Sequence, residues 1–145
     1  MADFRKVTEK FYVAPQITAD DVKLAAEQGF KSLIMNRPSG ETPDQPATET
    51  LVAQAEAEGL TFAHIPIQGP PEVEDVRKTL SELESAGDNK VLAFCRSGTR
   101  SITLWAFAQA ASGKMDVADI LQHAEAAGYN LTGMAPALEH LSTTS

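Results

Sequence analysis

The sequence predicts a single α/β domain over residues 1–145, a mainly parallel central sheet of about four to five strands flanked by helices. Three observations lead there. Short apolar runs alternate with helix-period segments along the whole chain. The run Val91-Leu92-Ala93-Phe94 is apolar without interruption, as a strand covered on both faces requires. At 145 residues the chain suits one core, with no internal repeat and no compositional boundary.

Phe11-Tyr12-Val13 reads as the first strand. Thr18 and Asp21 have capping-box spacing, and Val22, Ala25 and Ala26 then line one face of a helix that Gly29 ends. Ser32-Leu33-Ile34-Met35 is the second strand. Its exit, residues 36–46, holds three prolines and one glycine and is a loop. A helix over 48–58 ends at Gly59, and a strand over 61–67 is broken by Pro66. Val73, Val76, Leu80 and Leu83 form the clearest helical stripe, closed by Gly87. After Val91-Leu92-Ala93-Phe94 the chain turns helical from about Arg100, with Ile102, Leu104, Trp105, Phe107 and Ala108 apolar almost all round. Asp116 and Asp119 open an amphipathic helix containing Ile120, Leu121 and Ala124. A last short helix lies near 136–141.

The bulk properties exclude several functions. A net charge of -8 with no local basic cluster opposes nucleic-acid binding. No apolar run is long enough to span a bilayer, and the charged opening MADFRKVTEK lacks a signal-peptide core, so a cytoplasmic, membrane-free protein is expected. One cysteine permits no internal disulfide, in keeping with a reducing compartment. His123, Glu125, His140 and the lone Cys95 lack metal-ligand spacing, and the glycines form no nucleotide fingerprint. Neither metal nor cofactor is expected.

The chemistry concentrates in Cys95-Arg96-Ser97-Gly98-Thr99-Arg100-Ser101, between the buried strand and a helix. Ligands of parallel sheets bind where such a loop meets a helix N-terminus. Small residues let successive N–H groups of Arg96, Ser97, Gly98 and Thr99 turn inward on an anion, and the helix dipole favours it. The Arg100 fork suits oxyanions. The same field favours a nucleophilic Cys95 thiolate, and Ser101 is placed to hydrogen-bond that sulfur or a leaving sulfur. Cys95, Arg100 and Ser101 are the expected catalytic residues. The plainer alternative is that Cys95 is a buried strand-end thiol and Arg96 an exposed loop cation. Asn36, Arg37, His64 and Gln68 fall on the same sheet edge and are expected at the pocket rim. For Asn36 and Arg37 the alternative is a turn with Pro38, and for His64 a satisfied structural histidine.

The loop resembles those of two families. Cys-dependent phosphatases place five residues between Cys and Arg, and rhodanese sulfurtransferases one fewer. Here the residues between Cys95 and Arg100 are 96, 97, 98 and 99, which is the rhodanese length and gives a narrower cradle. Asn36-Arg37 with Glu41, and Ala63-His64-Ile65-Pro66, imitate rhodanese signposts, but a whole helix and strand separate them. The strand-helix order and Tyr12-Val13-Ala14-Pro15-Gln16 look like a dual-specificity phosphatase. The combination resembles the phosphatase-like domain family named after beta-lactamase hydrolase-like proteins, from Phe11 to about Leu141. The resemblance implies a dual-specificity/tyrosine-phosphatase-like fold and sulfur-transfer chemistry. It also implies a persulfide dioxygenase or an acceptor thiol as partner.

A dual-specificity phosphatase carries an Asp general acid after its third strand. That stretch here is Ile67-Gln68-Gly69-Pro70-Pro71, and the next acids, Glu72, Glu74 and Asp75, fall where a helix begins. Sulfur transfer needs no such acid, because sulfite and thiolates leave as anions. The expected activity is a cysteine-dependent sulfurtransferase acting on a small anion, thiosulfate or a persulfide. The alternatives are hydrolysis of a phosphate ester through a phosphocysteine, and anion or partner binding without turnover.

Overall fold

A computed structural model describes residues 2–144. The elements follow in the order β1 (Arg5–Lys6), β2 (Phe11–Ala14), α1 (Ala19–Glu27), β3 (Phe30–Met35), α2 (Thr48–Ala57), β4 (Thr61–His64), α3 (Val73–Ala86), β5 (Lys90–Phe94), α4 (Thr99–Ser112), α5 (Val117–Ala126), a 3-10 turn (Thr132–Met134) and α6 (Ala135–Thr144). The five strands form one sheet in the order β1-β2-β5-β3-β4, parallel except for β1 against β2. The α/β class and mainly parallel sheet expected from sequence are the ones observed. The short strand Arg5–Lys6 was not visible in the sequence, because two polar residues carry no strand period. The third expected strand stops at His64 and does not reach 67.

Strand β5 lies at the centre, and its side chains alternate between two cores. Val91 and Ala93 join Val13, Ile34, Ile102 and Trp105 on the face covered by α3 to α6. Leu92 and Phe94 join Ala14, Leu33, Met35 and Leu51 on the face covered by α1 and α2. That double coverage is why the strand reads as continuously apolar. Helix α4 is apolar all round for the same kind of reason: it is sandwiched between β5 and the α3, α5 and α6 helices, with Trp105 1% exposed. The Trp105 ring stacks on Phe11 of β2 at 5.7 Å between centroids.

Local sequence sets the helix starts. Thr18 and Asp21 make the expected capping box, Asp21 N–H donating to Thr18 Oγ1 and Thr18 N–H to Asp21 Oδ2. Asp116 caps α5 through the Asp119 N–H. One stripe residue departs from expectation. Val73 begins α3 but is 77% exposed, because the sheet and α4 cover the helix only from Val76 onward.

The register matters most for function. Ala14 and Met35 both pair with Phe94, and Met35 pairs with His64, so the four parallel strands end level. The segments leaving them, at Pro15, Asn36, Ile65 and Cys95, therefore meet at one edge. Among the described residues no helix is long and apolar enough to cross a membrane.

Truncating the shared ring contact tests this packing. Trp105→Ala is expected to lower the unfolding free energy by about 3–5 kcal/mol in a urea titration. A loss below ~1 kcal/mol would show that α4 is not the buried keystone described.

Candidate active site

Cys95 extends β5 by one residue and is fully buried. Its N–H donates to the Ala14 carbonyl at 3.4 Å, and the preceding Phe94 carbonyl accepts from Asn36 N–H at 2.8 Å. Both neighbouring strands thus fix the thiol's position. The Cys95 Sγ accepts the Gly98 N–H at 3.1 Å.

The loop's carbonyls explain this geometry. Arg96 C=O accepts from Gln16 N–H at 3.3 Å, and Gly98 C=O accepts from Ile102 N–H within the first turn of α4. Between them, Ser97 C=O accepts from the Tyr129 hydroxyl at 3.0 Å. In a trans peptide the N–H points opposite to the C=O. Engaging these carbonyls from outside turns the N–H groups of Ser97 and Gly98 the other way, and the Gly98 N–H reaches the sulfur, while the Thr99 N–H donates to Ser97 Oγ at 3.4 Å. The loop can close only with glycine at 98. Its φ is +95°, and an added Cβ would collide with the Tyr129 hydroxyl and lie 2.9 Å from its Cζ. Helix α4 begins at Thr99 with no acidic residue in its first turn, so its positive end is not locally neutralised.

Tyr129 was not anticipated. It follows Gly128 in sequence and reads only as a helix exit. Burial pushes its hydroxyl up from the ordinary value, against the pull of the Arg5 guanidinium stacked 5.1 Å from its ring. It is therefore a protonated donor at neutral pH.

Charge at the site centres on Glu41, also absent from the expected residues. Its carboxylate accepts from Arg100 Nη2 at 2.8 Å and Nη1 at 3.1 Å, and from Arg37 Nε at 2.9 Å. The Arg100 guanidinium, then Arg37, hold the Glu41 carboxyl down at about 2 against the opposing effect of burial. The pairing in turn raises Arg100 above its already high value. Arg100 Nη1 also donates to the Ile67 carbonyl at 3.0 Å, which ties the loop after β4 to the anion loop. The spacing of Arg37 and Glu41 was visible, but Arg100 is 59 positions from Glu41 and only the level sheet edge brings them together.

The rim placement expected of Asn36 and Arg37 is corrected. They are 1% and 3% exposed. Asn36 Nδ2 donates to the Ile65 carbonyl, and Arg37 Nη1 and Nη2 donate to Gln16 Oε1 and Thr42 Oγ1. They brace the strand exits from beneath. His64 lies exposed on edge strand β4 with Nε2 2.8 Å from the Arg37 carbonyl, a bracing contact as well. Gln68 is exposed and lines a shallow cavity of about 450 Å³ with Pro38, Glu72 and Asp75. Arg96, Ser97 and Thr99 are exposed on the loop, and Ser97 Oγ donates to Thr99 Oγ1. Ser101 is 1% exposed and its hydroxyl has no hydrogen-bond partner among the described residues.

The acids beyond Ile67 make local contacts at the start of α3, where Glu72 and Asp75 border the same cavity as Gln68. Asp75 accepts the Glu72 N–H at 3.0 Å, and Glu74 pairs with Arg77 at 3.2 Å. With Glu41 held as a carboxylate, the site offers an anion cradle and a thiol in contact with an N–H donor.

Residues 3–112 match the family described as beta-lactamase hydrolase-like protein, phosphatase-like domain. A beta-lactamase hydrolase-like protein of Agrobacterium fabrum is 31% identical over 137 residues, 94% of this chain and 32% of the relative. The chain thus spans about a third of the length of the curated relatives it matches. A Neisseria meningitidis crystal structure, described as a candidate phosphatase, is 36% identical with a TM-score of 0.79. The match covers 94% of this chain and 96% of that one. The active form of Tk-PTP, 18% identical, shares the fold with a TM-score of 0.75 over 99% and 98% of the two chains. The chain belongs to the phosphatase-like domain family of beta-lactamase hydrolase-like proteins, and its fold is of the dual-specificity/tyrosine phosphatase type.

Two measurements probe the site's construction. A carboxyl lowered from 4.5 to about 2 stabilises the fold above pH 4.5, and that contribution is lost as pH falls through 2. Glu41→Gln is expected to flatten the dependence of thermal midpoint on pH across this window. An unchanged slope would remove Glu41 from the account. Tyr129→Phe should cost about 1 kcal/mol in urea and slow iodoacetamide alkylation of Cys95 several-fold. Unchanged alkylation would mean that the Gly98 N–H needs no help from Tyr129.

Proposed function

We propose, with membership of this family as premise, that Cys95 carries sulfur between an anionic donor and an acceptor thiol or cyanide. The observation that supports this reading is the state of the acids. Glu41 is the carboxylate in contact with the loop arginine, and at about 2 it holds no proton to give at neutral pH. Asp75 accepts the Glu72 N–H and Glu74 pairs with Arg77 on the surface of α3. Alkoxide leaving groups need a proton, whereas sulfite and thiolates do not. The loop of four residues between Cys95 and Arg100 agrees, since it frames a narrower cradle than a phosphatase loop.

The step balances without an oxidant. The Cys95 thiolate attacks the outer sulfur of thiosulfate, the S–S bond breaks, and sulfite leaves with its electron pair. Cys95 is then a persulfide. Attack by cyanide or a thiolate on that outer sulfur returns the Cys95 thiolate and releases thiocyanate or a new persulfide. The N–H groups of Ser97 and Gly98 and the α4 dipole hold the anionic donor. Arg100 offsets the second negative charge. An acceptor thiol is the partner this chemistry needs, and the family resemblance adds a persulfide dioxygenase as the proposed consumer of the persulfide formed.

Phosphoryl transfer through a phosphocysteine is the second reading. It is favoured by the 36% identity to the Neisseria meningitidis candidate phosphatase and by the anion-binding loop itself. It calls for a proton donor or an activated leaving group such as an aryl phosphate.

Intact mass after incubation with thiosulfate separates the two. A gain of one sulfur atom, absent from Cys95→Ser, with cyanide-dependent thiocyanate release, is the expected result. Steady aryl-phosphate hydrolysis with no sulfur adduct would overturn sulfur transfer in favour of the phosphatase reading. Silence in both assays would leave anion binding without turnover.

A further inference from the structure

The cradle opens onto an apolar groove that the chemistry above does not use. The groove starts at Arg100 and is bounded by Ile67, Pro70, Pro71, Phe107, Met134 and Ala137, enclosing about 400 Å³. That volume lies in the range of small-molecule sites. Thr99, Arg100, Thr103 and Phe107 recur at helical spacing, so the face of α4 that begins in the anion loop forms its floor. Pro71 and Phe107 also border a second cavity of about 150 Å³ that reaches Val73. Val73, 77% exposed, is the one exposed large apolar side chain among the described residues. Apolar surface is thus concentrated on one track leading away from Arg100.

The chemistry of the lining selects the occupant. Thr103 contributes a hydroxyl to the groove, but that hydroxyl already donates to the Thr99 carbonyl at 2.7 Å. A peptide or a polar thiol laid here would lose hydrogen bonds to water without replacement, whereas a hydrocarbon loses none. An anionic head is complemented at one end only, by the loop N–H groups and Arg100.

We propose that the substrate is an amphiphile: an anionic or sulfane-sulfur head in the loop of residues 95–100 and an alkyl or aryl body in this groove. The proposal rests on the reading that the loop takes an anionic head, and it narrows that reading to hydrophobic persulfides, R–S–SH. Cys95 thiolate attacks the terminal sulfur and the S–S bond breaks. The thiolate R–S⁻ leaves with the electron pair, the proton stays on the transferred sulfur, and R remains against Phe107 and Met134.

Non-reacting alkylphosphonates, from methyl to hexyl, test this by isothermal titration calorimetry on the full chain. The dissociation constant is expected to fall roughly threefold per added methylene while the groove fills, with an increasingly negative heat-capacity change. Ala137→Glu, at an exposed position on α6, should abolish the chain-length dependence. Affinity that is flat with chain length while methylphosphonate binds would overturn the groove and spare the anion loop. Chain-length dependence surviving in Ala137→Glu would also overturn it, since the hydrocarbon would then lie elsewhere. If no phosphonate binds, both the groove and the anion-head reading fall.

Discussion

The loop of residues 95–100 must present its N–H groups to one side, and almost everything else around it serves to hold its carbonyls on the other. The carbonyls of Arg96, Ser97 and Gly98 are each taken by a different part of the fold: Gln16 after β2, Tyr129 after α5, and Ile102 in the first turn of α4. Level strand ends bring Gln16 within reach, and the packing of α5 brings Tyr129. Glycine at 98 follows, because any side chain there would strike the Tyr129 ring. Contact between Gly98 N–H and Cys95 Sγ is the outcome of these constraints and not an independent feature.

Electrostatics add a second layer on the same frame. In a chain of net charge -8, two guanidiniums lie at this edge and share one carboxylate. Arg37, Glu41 and Arg100 together carry one net positive charge, which offsets one negative charge of a thiolate or its ligand. The ion pair also restrains Arg100. Its fork is directed by Glu41 and by the Ile67 carbonyl, so orientation is set before any anion arrives. Glu41 is therefore a positioning group, and its low proton affinity is the consequence of that position.

Most of the architecture was legible because the signals are local. The continuous apolar run at β5, the Thr18 and Asp21 capping box and the Cys95-to-Arg100 loop each occupy a few adjacent residues. What stayed hidden depends on distant pairing. Glu41 meets Arg100, Tyr129 meets Ser97, and Arg5 meets Tyr129 only after the sheet has assembled. Asn36 and Arg37 were placed on the correct edge but with the wrong exposure. A strand terminus alone does not tell whether a polar side chain points to the mouth or beneath it. Val73 failed in the opposite sense, since helical period assigns a face but not what covers it.

The proposed sulfur transfer parts from the chemistry that the fold suggests, and the state of Glu41 is the observation that favours it. A phosphatase-type scaffold supplies the cradle, the helix dipole and the cysteine, and these serve any anion whose central atom a thiolate can attack. Leaving-group demand is what distinguishes the substrates. Phosphate monoesters of ordinary alcohols require a proton at the moment of cleavage, and the carboxyl in the site surrenders its proton at about 2. Sulfane sulfur requires none, because its leaving groups are stable anions. The arginine pairing that restrains the loop therefore also leaves Glu41 without a proton to give at neutral pH. On the proposed sulfur-transfer reading, the order of the loop and the preference for leaving groups that need no proton share one physical origin in the Glu41 pairing.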